Sequence, residues 1–150
     1  MNYFTDNFDR FAIPGEWIHT QVGEVTVVAR LVRDEDYHID DDDCHNPDQT
    51  VTGCNDEQFE RLLSARAAWF NDEWYYGGIV LEVSIGGIPL DKHAASLWGI
   101  EVNYPGEDNE YLTEVANNLL PEALSVATRK AAEVAIAHAR HTLAVEEGRV

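Results

Sequence analysis

Basic residues are scarce in this chain. Its 150 residues include 10 Lys and Arg against 28 Asp and Glu, so the formal net charge is -18 at pH 7. Phosphate groups are held mainly by Lys and Arg, and this balance argues against binding to nucleic acid or to an anionic membrane through a basic face. The charge instead favours a cationic partner.

Cysteine is also rare, and the sequence has no long apolar run. There are two cysteines, Cys44 and Cys54, and no stretch approaches 18 consecutive apolar residues. The opening residues Met-Asn-Tyr-Phe-Thr-Asp lack the basic and apolar regions of a signal peptide. We therefore expect a cytoplasmic protein in which both thiols stay reduced.

Apolar residues are plentiful enough for a proper interior. Hydrophobic residues make up 45% of the chain and aromatic residues 10%. A chain of this length and composition typically builds one core. We therefore expect a single domain over residues 1–150.

The negative charge is concentrated in two segments. Residues 34–60 contain 11 acidic residues and no basic one, and residues 101–128 contain 6 acidic residues and no basic one. The run of four aspartates and the Asn-Pro pair predict an exposed acidic loop over about residues 34–54. Segments without Lys or Arg are typical of surfaces that present negative potential.

Three segments have the pattern of β-strands. Residues 24–32 are rich in β-branched residues, and residues 74–85 and 96–102 mix aromatic and β-branched residues. The pair Gly86-Gly87 follows the second of these strands, so the second and third strands should pair antiparallel. Residues 1–18 show no sustained period and are predicted to form an irregular arm.

Helices are predicted after the acidic loop and at the end of the chain. Asn55 and Gln58 have the spacing of a capping box, which predicts a helix to about Phe70. Asp108 or Asn109 can cap a second helix. The predicted order is therefore β-α-β-β-α-α, an α+β fold with a small, mostly antiparallel, three-stranded sheet packed against helices.

The last helix has a proline near its start and many alanines. Pro121 disfavours helical geometry at the residue before it, so we expect a break or kink at Leu119-Leu120 and a new helix from Pro121 to about Val145. Its small side chains permit close packing. We expect this helix to form either a buried packing face or the interface of a homodimer.

Metal-ligating residue types occur in the acidic loop, but their spacing is poor for zinc. The weak candidates are His38, Cys44, His45 and Cys54, and the two cysteines are ten positions apart without a C-x2-C pair. No register of the aspartates matches a calcium loop. The sequence therefore predicts a solvated loop with neither metal nor cofactor.

Catalytic motifs give little support for an enzyme. The sequence has no Gly-x-Ser-x-Gly motif, and its glycine pairs lack the spacing of phosphate-binding loops. An enzyme is therefore the less favoured class.

Rows of carboxylates are the more physical candidate for a binding surface. On a helical wheel, Glu107, Glu110 and Glu114 fall within about 60° of one another and opposite the apolar positions. Carboxylates at this spacing resemble the charge spacing of a nucleic-acid backbone. The predicted partner-binding residues are Asp40, Asp41, Asp42, Asp43, Asp56, Glu60, Glu107, Glu110 and Glu114.

Two blocks of the sequence carry a resemblance. The segments Trp-Phe-Asn-Asp-Glu-Trp-Tyr-Tyr-Gly-Gly at 69–78 and Ala-Ser-Leu-Trp-Gly-Ile-Glu at 95–101 resemble a group of short, uncharacterised proteins of tailed bacteriophages and prophages. The resemblance implies a phage or mobile-element origin and action inside a bacterial host cell. It implies no catalytic residue. In physical terms, Trp69, Trp74 and Trp98 are expected to build the core between sheet and helix.

These observations lead to one favoured function and two alternatives. The favoured one is a non-enzymatic protein that binds and inhibits a basic, nucleic-acid-binding host protein, as a DNA mimic acting against host defence. The first alternative is a pocket around 74–78 that sequesters a small molecule or nucleotide, provided that Arg30, Arg33, Arg61 or Arg66 gather positive charge there. The second is a small phage enzyme or metal protein whose site has no recognisable motif.

Overall fold

The computed structural model describes residues 3–50 and 53–149, and its fold is α+β, as predicted. A four-stranded antiparallel sheet has the strand order β1-β2-β3-β4. The strands are β1 (Trp17–Val22), β2 (Val25–Arg33), β3 (Tyr75–Ile85) and β4 (Ile88–Val102). The helices are α1 (Pro47–Thr50), α2 (Asp56–Phe70) and α3 (Glu110–Glu146), and a 3-10 turn covers Ile39–Asp41.

The prediction of three strands was wrong, because β1 lies within and just beyond the segment expected to be an irregular arm. β1 is an edge strand that pairs with β2 from Trp17–Arg30 to Val22–Val25. Only Ile18 of this strand is buried. Because only one side chain of β1 is buried, its sequence has little alternation of apolar and polar residues. Pairing with β2 is therefore what holds this segment in the extended conformation.

The hairpin between β3 and β4 confirms the predicted turn. Gly86 and Gly87 both have positive φ, at 56° and 81°, the conformation of a tight two-residue hairpin loop. Ile85 therefore pairs directly with Ile88. β4 begins eight residues earlier than predicted, because pairing with β3 holds the polar stretch before Ser96 in extended form.

α2 begins with the predicted capping box. The Gln58 backbone N–H donates to Asn55 Oδ1 at 2.8 Å, and the Asn55 N–H donates to Gln58 Oε1 at 3.1 Å. The helix ends at Phe70, as predicted. The capping box, which is local chemistry, accounts for the start of this helix.

The predicted break at Leu119-Leu120, with a new helix starting at Pro121, was wrong, and the alternative of a kink stays a prediction. α3 runs without interruption for 37 residues and contains Pro121 in its interior. Leu120 and Ala123, on either side of the proline, are buried against the sheet. Packing of these neighbours offsets the hydrogen bond that proline cannot donate.

The main core lies between the sheet and the first half of α3. Phe4, Phe8 and Ala12 of the N-terminal segment close one side of this core. α3 is buried at intervals as far as Ala127, and residues 132–143 are all exposed. The expected packing face is therefore present only as far as Ala127, because Val134, Ile136 and Leu143 are exposed, and the homodimer stays a prediction.

Tyr75 provides a test of the core in alkaline solution. Its hydroxyl donates to the Ala12 carbonyl at 2.9 Å, and burial raises the pKa of Tyr75 to about 12 despite the nearby Arg33 charge. An acid whose pKa is raised by folding contributes stability that is complete below its unfolded pKa of about 10. That contribution is lost at about 1.4 kcal/mol per pH unit above it.

The variant Tyr75→Phe is expected to lose about 1 kcal/mol of unfolding free energy at pH 8. Between pH 10 and 12 its free energy of unfolding should fall less steeply with pH than that of the wild type. The difference in slope corresponds to one proton, because the variant lacks the Tyr75 hydroxyl. Urea unfolding at pH 8, 10 and 11 measures both effects. Tyr3→Phe, at an exposed position, is the control. Equal alkaline slopes for Tyr75→Phe and wild type would contradict the assignment.

Candidate binding cleft

The two acidic segments meet at one cleft. His45 Nε2, in the acidic loop, lies 2.9 Å from the hydroxyl of Tyr104, which follows β4. Beside this contact is an open cleft of about 410 Å³. It is lined by His45, Gly99, Glu101, Tyr104, Glu107 and Tyr111.

His45 anchors the acidic loop to the body of the protein. Its ring packs against Trp74 and Tyr104, with both centroid distances 5.4 Å, and the residue is only 6% exposed. Arg66 of α2 donates to the His45 carbonyl at 3.1 Å. The prediction of an exposed loop over 34–54 is therefore wrong for part of it, since Ile39 is also buried. Residues 51 and 52 of this prediction lie outside the described residues.

Asp42 is held by three hydrogen bonds. Its Oδ2 lies 2.8 Å from His45 Nδ1 and accepts from the Tyr76 hydroxyl at 2.8 Å, and its Oδ1 accepts from the Cys44 N–H at 3.0 Å. Burial alone would raise the pKa of Asp42, but the hydrogen bonds from His45 and Tyr76 outweigh it, and the pKa lies below its usual value. Asp42 is therefore a carboxylate that faces inward and stays ionised.

Glu101 faces Asp42 and His45 from β4. Burial raises the pKa of Glu101, and the charges of Asp42 and Glu107 raise it further, although His45 acts in the opposite direction. Burial raises the pKa of Tyr104 as well, and the charges of Glu101, Asp42 and Glu107 raise it further. The cleft therefore accumulates negative charge that its own residues do not fully offset, and a cation would relieve this repulsion.

The other predicted partner-binding residues have different surroundings. Glu107, Glu110 and Glu114 are exposed near the cleft, but α3 begins at Glu110, so Glu107 precedes the helix. Asp40 pairs with Arg66 at 2.8 Å. Asp41 and His38 form the capping box of the 3-10 turn. The remaining predicted residues are exposed: Asp43 in the loop, and Asp56 and Glu60 on the first turns of α2.

The four weak metal candidates do not assemble into one site. His38 packs edge-on against Trp69, and Cys44 and Cys54 are free thiols. Within the described residues, the set that places three ligand-type side chains together is Asp42, His45 and Glu101. His45 alone belongs to both groups.

The arginines that an anionic nucleotide would need are each paired with a carboxylate. Arg66 contacts Asp40 as described, and Arg33 lies 3.5 Å from Asp72 and over the Tyr75 ring. The remaining pairs are Arg30–Glu82 at 3.2 Å and Arg61–Glu57 at 4.0 Å. The charge of each arginine is therefore offset locally.

The segment 74–78 is part of the protein interior. All five residues are buried, and Trp98 lies over Gly78 where a side chain would otherwise stand. The tryptophans differ in role, because Trp74 is fully buried while Trp98 is 43% exposed. A small cavity of about 210 Å³ lies beside this segment, between Tyr37 and Trp69.

Sequence reasoning missed Glu101, Tyr104 and Tyr76 as members of the site. Glu101 is 56 positions from His45, and no spacing rule connects residues so far apart. The available signal was the charge segmentation, because Glu101 begins the second segment without a basic residue. Only the pairing of β4 with β3 brings that segment beside the loop.

Compared with models of protein families, with curated proteins and with solved structures, the chain matches none. In the part of the chain that the structure describes, no helix combines the length and apolar character needed to cross a bilayer. The functional argument therefore depends on the cleft itself.

Proposed function

We propose that this chain is a non-enzymatic phage or mobile-element protein that binds a basic, nucleic-acid-binding host protein and inhibits it as a DNA mimic. The observation that carries the proposal is the convergence of the two acidic segments on one cleft through the His45–Tyr104 contact. These segments contain seventeen acidic residues and no basic one, and of those acids Glu101 and Glu107 line the cleft while Asp42 contacts His45 beside it. A surface of this kind attracts Lys and Arg side chains over distances of about 8–10 Å.

The cleft offers a cationic side chain more than charge. Glu107 is exposed and Glu101 is half-buried, and both line the cleft, so a guanidinium or ammonium group there has two carboxylates within the same space. The rings of Tyr104 and Tyr111 line the same space and present faces that attract cations. Charge-assisted hydrogen bonds to partly desolvated carboxylates are stronger than those to exposed ones.

Rigid placement of the carboxylates also supports the proposal. The acidic loop is tied to the body by the Asp42–His45–Tyr104 hydrogen bonds and by Arg66. Carboxylates that are already positioned lose little conformational freedom when a partner binds. The nucleotide-binding alternative is less favoured, because Arg30, Arg33, Arg61 and Arg66 are individually paired with acids.

Competition with DNA tests the proposal. The chain is immobilised and exposed to the heparin-binding protein fraction of a bacterial lysate, and retained proteins are eluted with duplex DNA or with increasing salt. We expect a basic protein to be retained, to be displaced by DNA and to be released as ionic strength rises. DNA displaces it because DNA and the immobilised chain compete for the same Lys and Arg side chains of that protein.

Retention that resists DNA would contradict mimicry. Retention of a nucleotide in place of a protein would favour the pocket alternative. An immobilised acidic protein of similar net charge is the control for nonspecific capture, and the retained protein should be absent from it.

A further inference from the structure

We propose that Asp42, His45 and Glu101 form a binding site for a divalent transition-metal ion of the zinc class. One ligand-type atom from each of these residues lies within 4.8 Å of the corresponding atoms of the other two. The inference does not rest on binding to a basic protein, and it concerns a different class of ligand. It also differs from the cysteine-containing set that the sequence offered.

The donor atoms fit such an ion. Zinc accepts imidazole nitrogen and carboxylate oxygen as ligands. The set supplies one imidazole and two carboxylates, whose combined charge when ionised balances a divalent cation. The imidazole is already fixed, because the His45 side chain is only 7% exposed. A fixed, buried donor reduces the conformational freedom lost on binding.

The hydrogen bonds around His45 match the usual surroundings of a metal ligand. A histidine that binds a metal almost always keeps a hydrogen bond on its other ring nitrogen, which holds the ring in place. His45 has an oxygen partner at both nitrogens, Asp42 at 2.8 Å and Tyr104 at 2.9 Å. The ion would contact Nδ1, beside Asp42, and Nε2 would keep its hydrogen bond with the Tyr104 hydroxyl.

The distances require only a limited adjustment. Two ligand atoms each about 2.1 Å from an ion lie at most about 4.2 Å apart. Asp42 Oδ2 and His45 Nδ1 lie 2.8 Å apart in a hydrogen bond, and two ligands of a tetrahedral ion lie about 3.4 Å apart. The ion would therefore replace this hydrogen bond and separate the two atoms slightly. Glu101 lines the open cleft and its side chain has three rotatable bonds, so it is the group that would move inward.

A separate observation at the same cleft also points to a ligand. The hydroxyl oxygen of Tyr111 is buried and has no hydrogen-bond partner among the described residues. Buried hydroxyl groups without a partner are uncommon, and each one calls for an explanation such as a bound ion or its water. Tyr111 lines the same cleft as His45 and Glu101.

Metal titration of the untagged full chain tests this site. After treatment with a chelator and dialysis, ZnCl2 is titrated by calorimetry and CoCl2 by visible absorption. We expect one ion per chain and cobalt bands typical of nitrogen and oxygen ligands, without the intense near-ultraviolet band of thiolate ligation. Excess Zn2+ should also raise the melting temperature, because the ion binds the folded state.

Four variants make the test specific. Glu101→Gln is expected to weaken Zn2+ binding by about tenfold or more, since it removes one charged ligand. Glu114→Gln, an exposed carboxylate on α3, and the double variant Cys44→Ser/Cys54→Ser are expected to bind as the wild type does. His45→Asn is expected to abolish binding, but its buried position can compromise folding. Glu101→Gln, with its fold verified by circular dichroism, therefore decides the test.

Three results would overturn the site. They are the lack of stoichiometric binding, unchanged affinity in Glu101→Gln, and loss of binding in the cysteine double variant. None of them affects the DNA-competition experiment, so the two proposals fail independently.

Discussion

Replacing Glu107, Glu110 and Glu114 together by Gln is expected to weaken binding to the basic partner by about tenfold to a hundredfold. The three side chains are exposed near the cleft, and each removed charge costs up to about 1 kcal/mol at a solvated rim. The association rate should account for most of the loss, because rim charges act mainly on diffusional encounter. Surface plasmon resonance with the protein recovered in the competition experiment, at two salt concentrations, measures both rates.

The fold should survive this triple change. Gln and Glu are similar helix formers, and only Glu110 lies in the first turn of α3, where its charge favours the helix by about 0.5 kcal/mol. The matched control is Glu133→Gln/Glu146→Gln/Glu147→Gln, which removes two charges from the second half of α3 and one directly after its end. That control should bind nearly as well as the wild type.

A second triple variant shows which acidic segment the partner contacts. Asp40→Asn, Asp41→Asn and Asp43→Asn remove charge from the loop and leave Asp42 unchanged, because Asp42 accepts hydrogen bonds from Tyr76 and Cys44. If neither this variant nor the glutamate variant changes affinity while both remain folded, the mimic proposal is untenable. The cavity beside Tyr37 and Trp69 would then be the preferred site.

The variant Trp74→Ala is expected to lower the free energy of unfolding by about 3–5 kcal/mol. Trp74 is fully buried, and its Nε1 donates to the Ala65 carbonyl at 2.8 Å. Its ring also packs against His45, Tyr76 and Tyr104. The substitution therefore leaves a cavity beside His45 and Tyr104 and removes the indole hydrogen bond, and urea unfolding monitored by circular dichroism measures the loss.

Trp98→Ala provides the comparison. This ring is 43% exposed, covers Gly78 and donates from Nε1 to Ser96 Oγ at 3.1 Å. We expect a loss of about 1 kcal/mol, because water already reaches much of the side chain. Equal losses of unfolding free energy in the two variants would show that burial does not determine how much Trp74 contributes to stability.

Elements with strong local signals were predictable from the sequence. α2 was located to within a residue because its cap, its apolar stripe and its end are all encoded within 16 consecutive positions. The strands β2 and β3 followed from their β-branched and aromatic residues. β1 and the first half of β4 have weak patterns, and only pairing with a neighbouring strand makes them extended.

Pro121 and Asp42 show where local rules were insufficient. A proline within a helix is disfavoured locally, yet burial of Leu120 and Ala123 holds α3 together across it. Asp42 is one of four consecutive aspartates with identical local chemistry, and it alone turns inward to Tyr76 and His45. Contacts with Tyr76 of β3 and with His45 select it, and no property of the run itself distinguishes it.

The sequence by itself determined the class of fold, the acidic character of the chain and the two segments in which that character is concentrated, because composition and short-range periodicity are local properties. Only the tertiary structure decided that those segments share one cleft and that His45 stands between Asp42 and Glu101. The physical reason is distance along the chain. Residues separated by 56 positions meet only when the sheet has formed, and the burial that turns one aspartate and one histidine inward exists only in the packed protein.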